Sequence, residues 1–363
     1  MKHHFFKLHF GIYLVSSLSA YAGSADFAVR CAGSGVTLCN GFDTQADAPK
    51  NGTDIGMYAP YGTTNFTNIK IDSTQTLGPG ASMSMTLPAG VAGSDSTGYF
   101  MSYFGPGRNF GQNSHFYVQY AVRISPEMTT NTTQWSAGAG NTTMWKFSII
   151  HQKDASCSQI ELTSVNYMWS TQLRPNLFPT MYTGCGASPL YTGWNKTLMM
   201  ADGLWNPNIP LTDEGTLALE QSAFNTSGYN CYGGNQVGGL GDGKNCFNWR
   251  DHMNQWVTFY YDIQVGTWGQ PNSTVKAYVA FNGGAYLQWI NISNFRLDHN
   301  GSPATDGYNY ITLAPYQTGL TVPANQSSTI WYDELIVSTQ PISAPGGASV
   351  SLPLSAPKNL KVY

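Results

Sequence analysis

Residues 146–165 read KFSIIHQKDASCSQIELTSV. Ile160 and Leu162 alternate there with Gln159, Glu161 and Thr163. That is the period-two signature of a strand with one apolar and one polar face. The same alternation in Phe116–Ile124 sets Gln119 and Arg123 opposite Phe116, Val118, Tyr120, Val122 and Ile124. In Trp256–Val265 it sets Tyr260 and Asp262 opposite Val257, Phe259, Tyr261, Ile263 and Val265. With Lys146, Ser148, Tyr308 and Tyr310 added, the polar faces hold carboxylates, two cations, amides and tyrosines. On one surface, such groups can bind anions through charge-assisted hydrogen bonds and can move protons.

Strands must position these side chains. Met144–His151, Val275–Phe281, Leu287–Ile292, Tyr308–Ala314 and Ile330–Ser338 complete the readable set, and no long amphipathic helical pattern competes with it. Asn282-Gly283-Gly284 predicts a hairpin turn. Many antiparallel strands without helices predict an all-β sandwich or barrel. The economical division is one domain over residues 25–342, followed by a linker and short tail over 343–363. Residues 186–250, rich in Gly, Asn and Pro, read as long loops.

Of the 363 residues, 10% are charged and 13% aromatic, and the net charge is −3, so no basic footprint points to nucleic acid. Lys2 and Lys7, the apolar Gly11–Leu18 and Ala20-Tyr21-Ala22 predict a signal peptide over residues 1–22 and a secreted or periplasmic protein. No apolar run long enough for a membrane span follows. The six cysteines of an exported chain predict disulfides, most simply as the sequence-local pairs Cys31–Cys39, Cys157–Cys185 and Cys231–Cys246. No spacing of Cys and His points to zinc. The sequence leaves the oligomeric state open.

Four segments carry a resemblance: CSQIEL from Cys157, FPTMYTGCG from Phe178, LAPYQTG from Leu313 and WYDELIVS from Trp331. In this order they resemble a largely uncharacterised group of exported bacterial proteins in the concanavalin A-like lectin and glucanase superfamily. The resemblance implies a jelly-roll β-sandwich with a concave sheet that holds glycan chains. It does not dictate the activity, since lectins, glucanases and polysaccharide lyases share the fold.

A retaining glucanase of this kind needs two carboxylates spaced E-x-D-x-x-E. Glu161 is followed by Leu162-Thr163-Ser164-Val165, so the second is missing at that spacing. A lyase needs a group to neutralise the uronate carboxylate, a base for the C5 proton and an acid for the leaving oxygen. The resemblance therefore implies Arg123, Lys146, Glu161 and Tyr310 as catalytic candidates. Gln119, Gln159, Tyr260, Tyr308, Trp135 and Trp194 are the candidates for binding a polysaccharide. The arginine-bearing R-S/T-E-L-R motif of alginate lyases is absent. Strict alternation groups His151 with Trp145, Phe147 and Ile149, which favours a structural histidine. Glu161 has a simpler reading too, as a solvated strand residue paired with Lys146 for ~0.2–1 kcal/mol. Calcium is compatible with the fold class, although no ligand spacing specifies it. The leading expectation is a polysaccharide-binding protein that cleaves an acidic glycan as a lyase. The alternatives are a non-catalytic carbohydrate-binding protein and an envelope adhesion protein.

Overall fold

The computed structural model describes residues 24–48, 69–90, 93–95, 99–128, 143–152, 161–168, 178–183, 252–297, 299, 302–320 and 326–346. The expected signal peptide, Trp135, Gln159, Trp194, Cys157, Cys185, Cys231 and Cys246 lie outside these residues.

Two antiparallel sheets face each other. Sheet A comprises β1 (Val36–Asn40), β2 (Ile69–Asp72), β3 (Ser82–Leu87), β6 (His115–Ile124), β10 (Val257–Gln264), β11 (Pro271–Phe281), β12 (Leu287–Arg296) and β14 (Ser328–Ser338). Its order is β12-β11-β10-β6-β14-β3-β2, with β1 paired to β14 beyond a bulge. Sheet B comprises β4 (Gly93–Asp95), β5 (Phe100–Tyr103), β7 (Thr143–His151), β8 (Glu161–Met168), β9 (Phe178–Thr183) and β13 (Tyr310–Leu320). Its order is β4-β13-β7-β8-β9, with β5 also on β13. The all-β jelly-roll sandwich read from the sequence is the architecture found.

The core forms where the period-two patterns meet. Phe116, Val118, Tyr120, Val122 and Ile124 of β6 and Val257, Phe259, Tyr261 and Ile263 of β10 are buried there, opposed from sheet B by Phe100, Phe147, Ile150, Ile311 and Leu313. Phe147 packs on Phe259 with ring centroids 5.0 Å apart. Two tyrosine hydroxyls that enter this interior find partners. The Tyr120 hydroxyl bonds Ser148 Oγ at 2.5 Å and the Tyr332 hydroxyl donates to the Phe147 carbonyl at 2.9 Å. The β11–β12 turn is built as its residues require: Asn282 and Gly283 both have positive φ, and Gly284 N–H donates to the Phe281 carbonyl.

A helix absent from the sequence reading, α1 (Ser24–Cys31), packs on the outer face of sheet A. Its eight residues are too few to be stable alone, so tertiary contacts must hold it. The expected disulfide Cys31–Cys39 links it to β1. Arg30 is buried and fixes it to the sheet: Nη2 meets Glu334 Oε2 at 2.5 Å, Nε meets Asp26 Oδ2 at 2.9 Å, and Nη1 donates to Gln119 Oε1. Glu334 sits at a bulge in β14 with φ 51°, where Glu334 and Leu335 leave the pairing with β6 between Asp333 and Ile336. Residues 342–346 lie over the same face: the Gln119 amide donates to the Ser343 carbonyl at 2.9 Å, and Gly346 N–H donates to Asp26 at 3.2 Å.

Removing one partner of a buried ion pair strands the other charge. Arg30→Met is expected to lower the free energy of unfolding in urea by ~3–5 kcal/mol. Adding Glu334→Met to it should cost much less than a second such loss. Additive losses in the two variants would show that Arg30 and Glu334 act independently.

Candidate functional site

The core seals the inner face of each sheet, which leaves two outer faces for chemistry. The sequence reading gathers Gln119, Arg123, Lys146, Glu161, Tyr260, Tyr308 and Tyr310 on one surface; the structure divides them. Gln119, Arg123 and Tyr260 belong to β6 and β10 of sheet A, whereas Lys146, Glu161 and Tyr310 belong to β7, β8 and β13 of sheet B. Alternation fixes which face of a strand is polar but not which sheet the strand joins.

Sheet A then departs further from the expectation. Gln119 is fully buried, its amide spent on Arg30, Tyr286 and Ser343. Tyr260 stacks against Tyr286, with ring centroids 4.8 Å apart, and its hydroxyl accepts from Ile342 N–H at 3.4 Å. Burial beside Tyr286 holds its phenol far above the usual range. Both side chains thus form the seat of α1 and of residues 342–346. Tyr308 is a core residue, packed 5.7 Å from Phe116 and 6.2 Å from Trp268 between ring centroids. It precedes β13, joined to Phe110 by an isolated bridge, so the alternation of Tyr310 does not extend back to it.

On sheet B the register assembles a cross-strand row. Tyr103 of β5 pairs with Tyr310 of β13, Tyr310 with His151 of β7, and His151 with Glu161 of β8. Paired residues of adjacent strands share a face. Their sequence neighbours Ile150 and Ile311 are buried in the core, so the row lies on the outer face. Tyr103 is 41% exposed, and its ring lies 5.1 Å from that of Tyr310, which in turn lies 6.0 Å from the His151 imidazole at 26°. One step further along the strands, Met101, Thr312, Ile149, Thr163 and Tyr182 form the next row of this face by register.

His151 reaches the outer face through a bulge. Register slips between Lys146 and Ser148, and both Phe147 and Ser148 contact the interior. Strict alternation through Phe147 is thereby broken, and His151 does not share the face of Phe147 as the sequence reading has it. A second bulge between Leu313 and Tyr316 carries β13 past Pro315 to Leu320. Lys146 is opposite Tyr316 and Val165, not Glu161, so the cross-strand pair Lys146–Glu161 expected from the hairpin is not in register. At the usual strand rise Lys146 stands roughly 15 Å along β7 from His151.

His151 is the best-defined titratable group of the row. Its Nδ1–H donates to the Gln152 carbonyl at 2.7 Å, since a carbonyl can only accept. Nε2 is then the acceptor of the Thr312 hydroxyl at 2.8 Å. Desolvation lowers the pKa to about 4, with the Gln152 bond opposing it. Neutral imidazole with a fixed tautomer suits a hydrogen-bonding and positioning role; a base this weak is poorly matched to proton abstraction near neutrality. Among the described residues no group of three His, Cys, Asp or Glu side chains is placed to hold a metal ion.

No protein-family model matches the chain, and no curated protein matches its sequence. Solved structures with a similar outline include a marine PL-14 alginate lyase from Aplysia kurodai, with a TM-score of 0.47 and 11% identity over 84% of this chain and 99% of that one. An endo-beta-1,4-glucuronan lyase from the fungus Trichoderma reesei aligns at 0.41 and 11% identity over 84% and 96% of the two chains. A GH131 beta-glucanase catalytic domain from Podospora anserina aligns at 0.38 and 7% identity over 78% and 84%. At such identity no residue of this chain is matched to a functional residue of theirs.

The depressed histidine has a consequence for stability. The unfolded chain protonates His151 below its ordinary value of 6.5, while the folded protein resists until about 4. The contribution is therefore complete above 6.5 and is lost as pH falls towards 4, roughly 3 kcal/mol in all. Unfolding free energy measured between these limits should rise with pH in the wild type and lose that part of its slope in His151→Gln. An unchanged slope would place the titration elsewhere.

Proposed function

We propose that the protein is an exported carbohydrate-active protein that binds an acidic polysaccharide across the outer face of sheet B and cleaves it by β-elimination. The observation that carries this reading is the Tyr103–Tyr310–His151 row, continued in register by Glu161. The exposed Tyr103 ring and the half-buried Tyr310 ring offer a surface on which a pyranose can stack. Tyr310 is the proton-transfer group: a phenol can protonate the leaving glycosidic oxygen and, as phenolate, take the C5 proton. His151 holds that end of the row in a fixed, uncharged geometry. Lys146, a strand's length away, contacts the carboxylate of a neighbouring sugar rather than of the reacting one. Glu161, opposite His151, is not paired with a second carboxylate on its own strand at retaining-glycosidase spacing, which disfavours hydrolysis. The Cys31–Cys39 disulfide and the signal-like first residues support export.

A second reading, binding without turnover, is favoured by the same aromatic pair, the exposed Tyr103 beside the half-buried Tyr310, which serves adhesion to a glycan whatever the chemistry. The test incubates the protein with polymannuronate, polyguluronate, polyglucuronate and polygalacturonate and records ultraviolet absorbance of the unsaturated product. Tyr310→Phe is expected to lower kcat by ~10²–10⁴ while leaving polymer binding within a few-fold. Tyr103→Ala should weaken binding with less effect on kcat. Saturable binding without any absorbing product would support the second reading, and neither binding nor product would end both.

A further inference from the structure

Arg123 is left without a role by the row on sheet B. It lies on the outer face of sheet A, opposite Trp331 of β14. The neighbouring register pairs Val122 with Val257, so one residue further sets Arg123 beside Trp256. Trp256 is 4% exposed and packs with Leu77 and Ala121 against Trp331, so the arginine stands between two indoles. Its Nε is buried and has no hydrogen-bond partner, and the buried indole Nε1 of Trp256 has none either. One row along, Thr258 pairs with Ala121 and its buried hydroxyl is also unpartnered. Each such buried group is costly to leave unmet.

Nearby carboxylates do not answer these donors. Asp72 accepts from Trp331 Nε1 at 2.8 Å and from Thr74 N–H at 2.8 Å. Asp333, opposite Ala121, accepts from Leu77 N–H at 3.0 Å and Glu334 N–H at 2.8 Å. Among the described residues Arg123 forms no ion pair, whereas Arg30, which packs on the same sheet, is met by two carboxylates. A half-buried guanidinium, an indole N–H and a hydroxyl in adjoining register positions are complementary to a planar oxyanion. The guanidinium edge matches a carboxylate with two parallel hydrogen bonds.

We propose that Arg123, Trp256 and Thr258 form a second binding site, on the sheet opposite the Tyr103–Tyr310–His151 row, for the carboxylate of a uronate residue. The identity of the polymer rests on the acidic-glycan reading above; the anion site itself does not depend on turnover at sheet B. Such a site would keep a long polymer attached while another part of it lies across sheet B, raising its effective concentration there.

The test follows the tryptophan indole N–H resonances of the full chain labelled with nitrogen-15, the Trp256 signal being identified by its loss in Trp256→Phe. Titration with trimannuronate or trigalacturonate is expected to move that signal along a saturable curve, with no response to neutral xylotriose. Arg123→Gln should weaken the response at least ~10-fold, and Arg123→Lys should weaken it less. The response should persist in Tyr310→Phe, which separates this site from the one on sheet B. No movement of the wild-type Trp256 signal with either oligouronate overturns the proposal without needing any variant to fold. So does a response to inorganic sulfate alone, or a response unaltered in a folded Arg123→Gln. Product formation without a Trp256 response would remove this site and leave the proposed activity standing.

Discussion

Burial of one aromatic core between two sheets is the constraint on which the other features depend. It consumes the inner face of every strand, as Phe116, Phe259, Phe147 and Ile311 show. Even the polar groups drawn inward, such as Tyr120 and Ser148, are committed to one another. Chemistry is therefore confined to the outer faces, and each outer face is shaped by what else packs on it.

The two outer faces have different fates. On sheet A, α1 and residues 342–346 cover the tyrosine cluster Tyr117, Tyr260 and Tyr278. Arg30 anchors that cover through Glu334, Asp26 and Gln119. The cost of desolvating an arginine is met there by two carboxylates and an amide oxygen. Beyond the cover, Arg123 has no comparable partners among the described residues, and the contrast between these two arginines is what distinguishes a structural cation from one suited to an external anion. On sheet B the exposed ring of Tyr103, the ring of Tyr310 and the neutral His151 stand side by side. Desolvation is again the physical cause: it keeps His151 uncharged, and two hydrogen bonds fix its tautomer.

Much of the fold was legible. The alternation in Phe116–Ile124 and Trp256–Val265 correctly separates core from outer residues, and Asn282-Gly283 marks its hairpin, because local pattern and local backbone demand decide both. Sheet membership is not legible, since it depends on pairing between distant strands; alternation alone therefore places Gln119 and Tyr260 with Lys146 and Tyr310. Helix α1 escaped notice because its eight residues carry little intrinsic preference and are held by Arg30, 304 residues from its partner Glu334. The bulges had the largest effect on the site. One extra residue at Phe147 reverses the parity that strict alternation assigns to His151. Pro315, which lacks the ladder donor, lies at the bulge of β13, beyond the Tyr308–Ala314 stretch whose alternation marks the strand.

The most direct test is a crystal structure of the Tyr310→Phe protein with a bound uronate oligosaccharide. Sugar density lying over Tyr103, residue 310 and His151, with a carboxylate near Lys146, is the expected result. An oligosaccharide bound only elsewhere, with no sugar over the Tyr103 and residue 310 rings, would contradict the assignment of sheet B as the glycan-handling face.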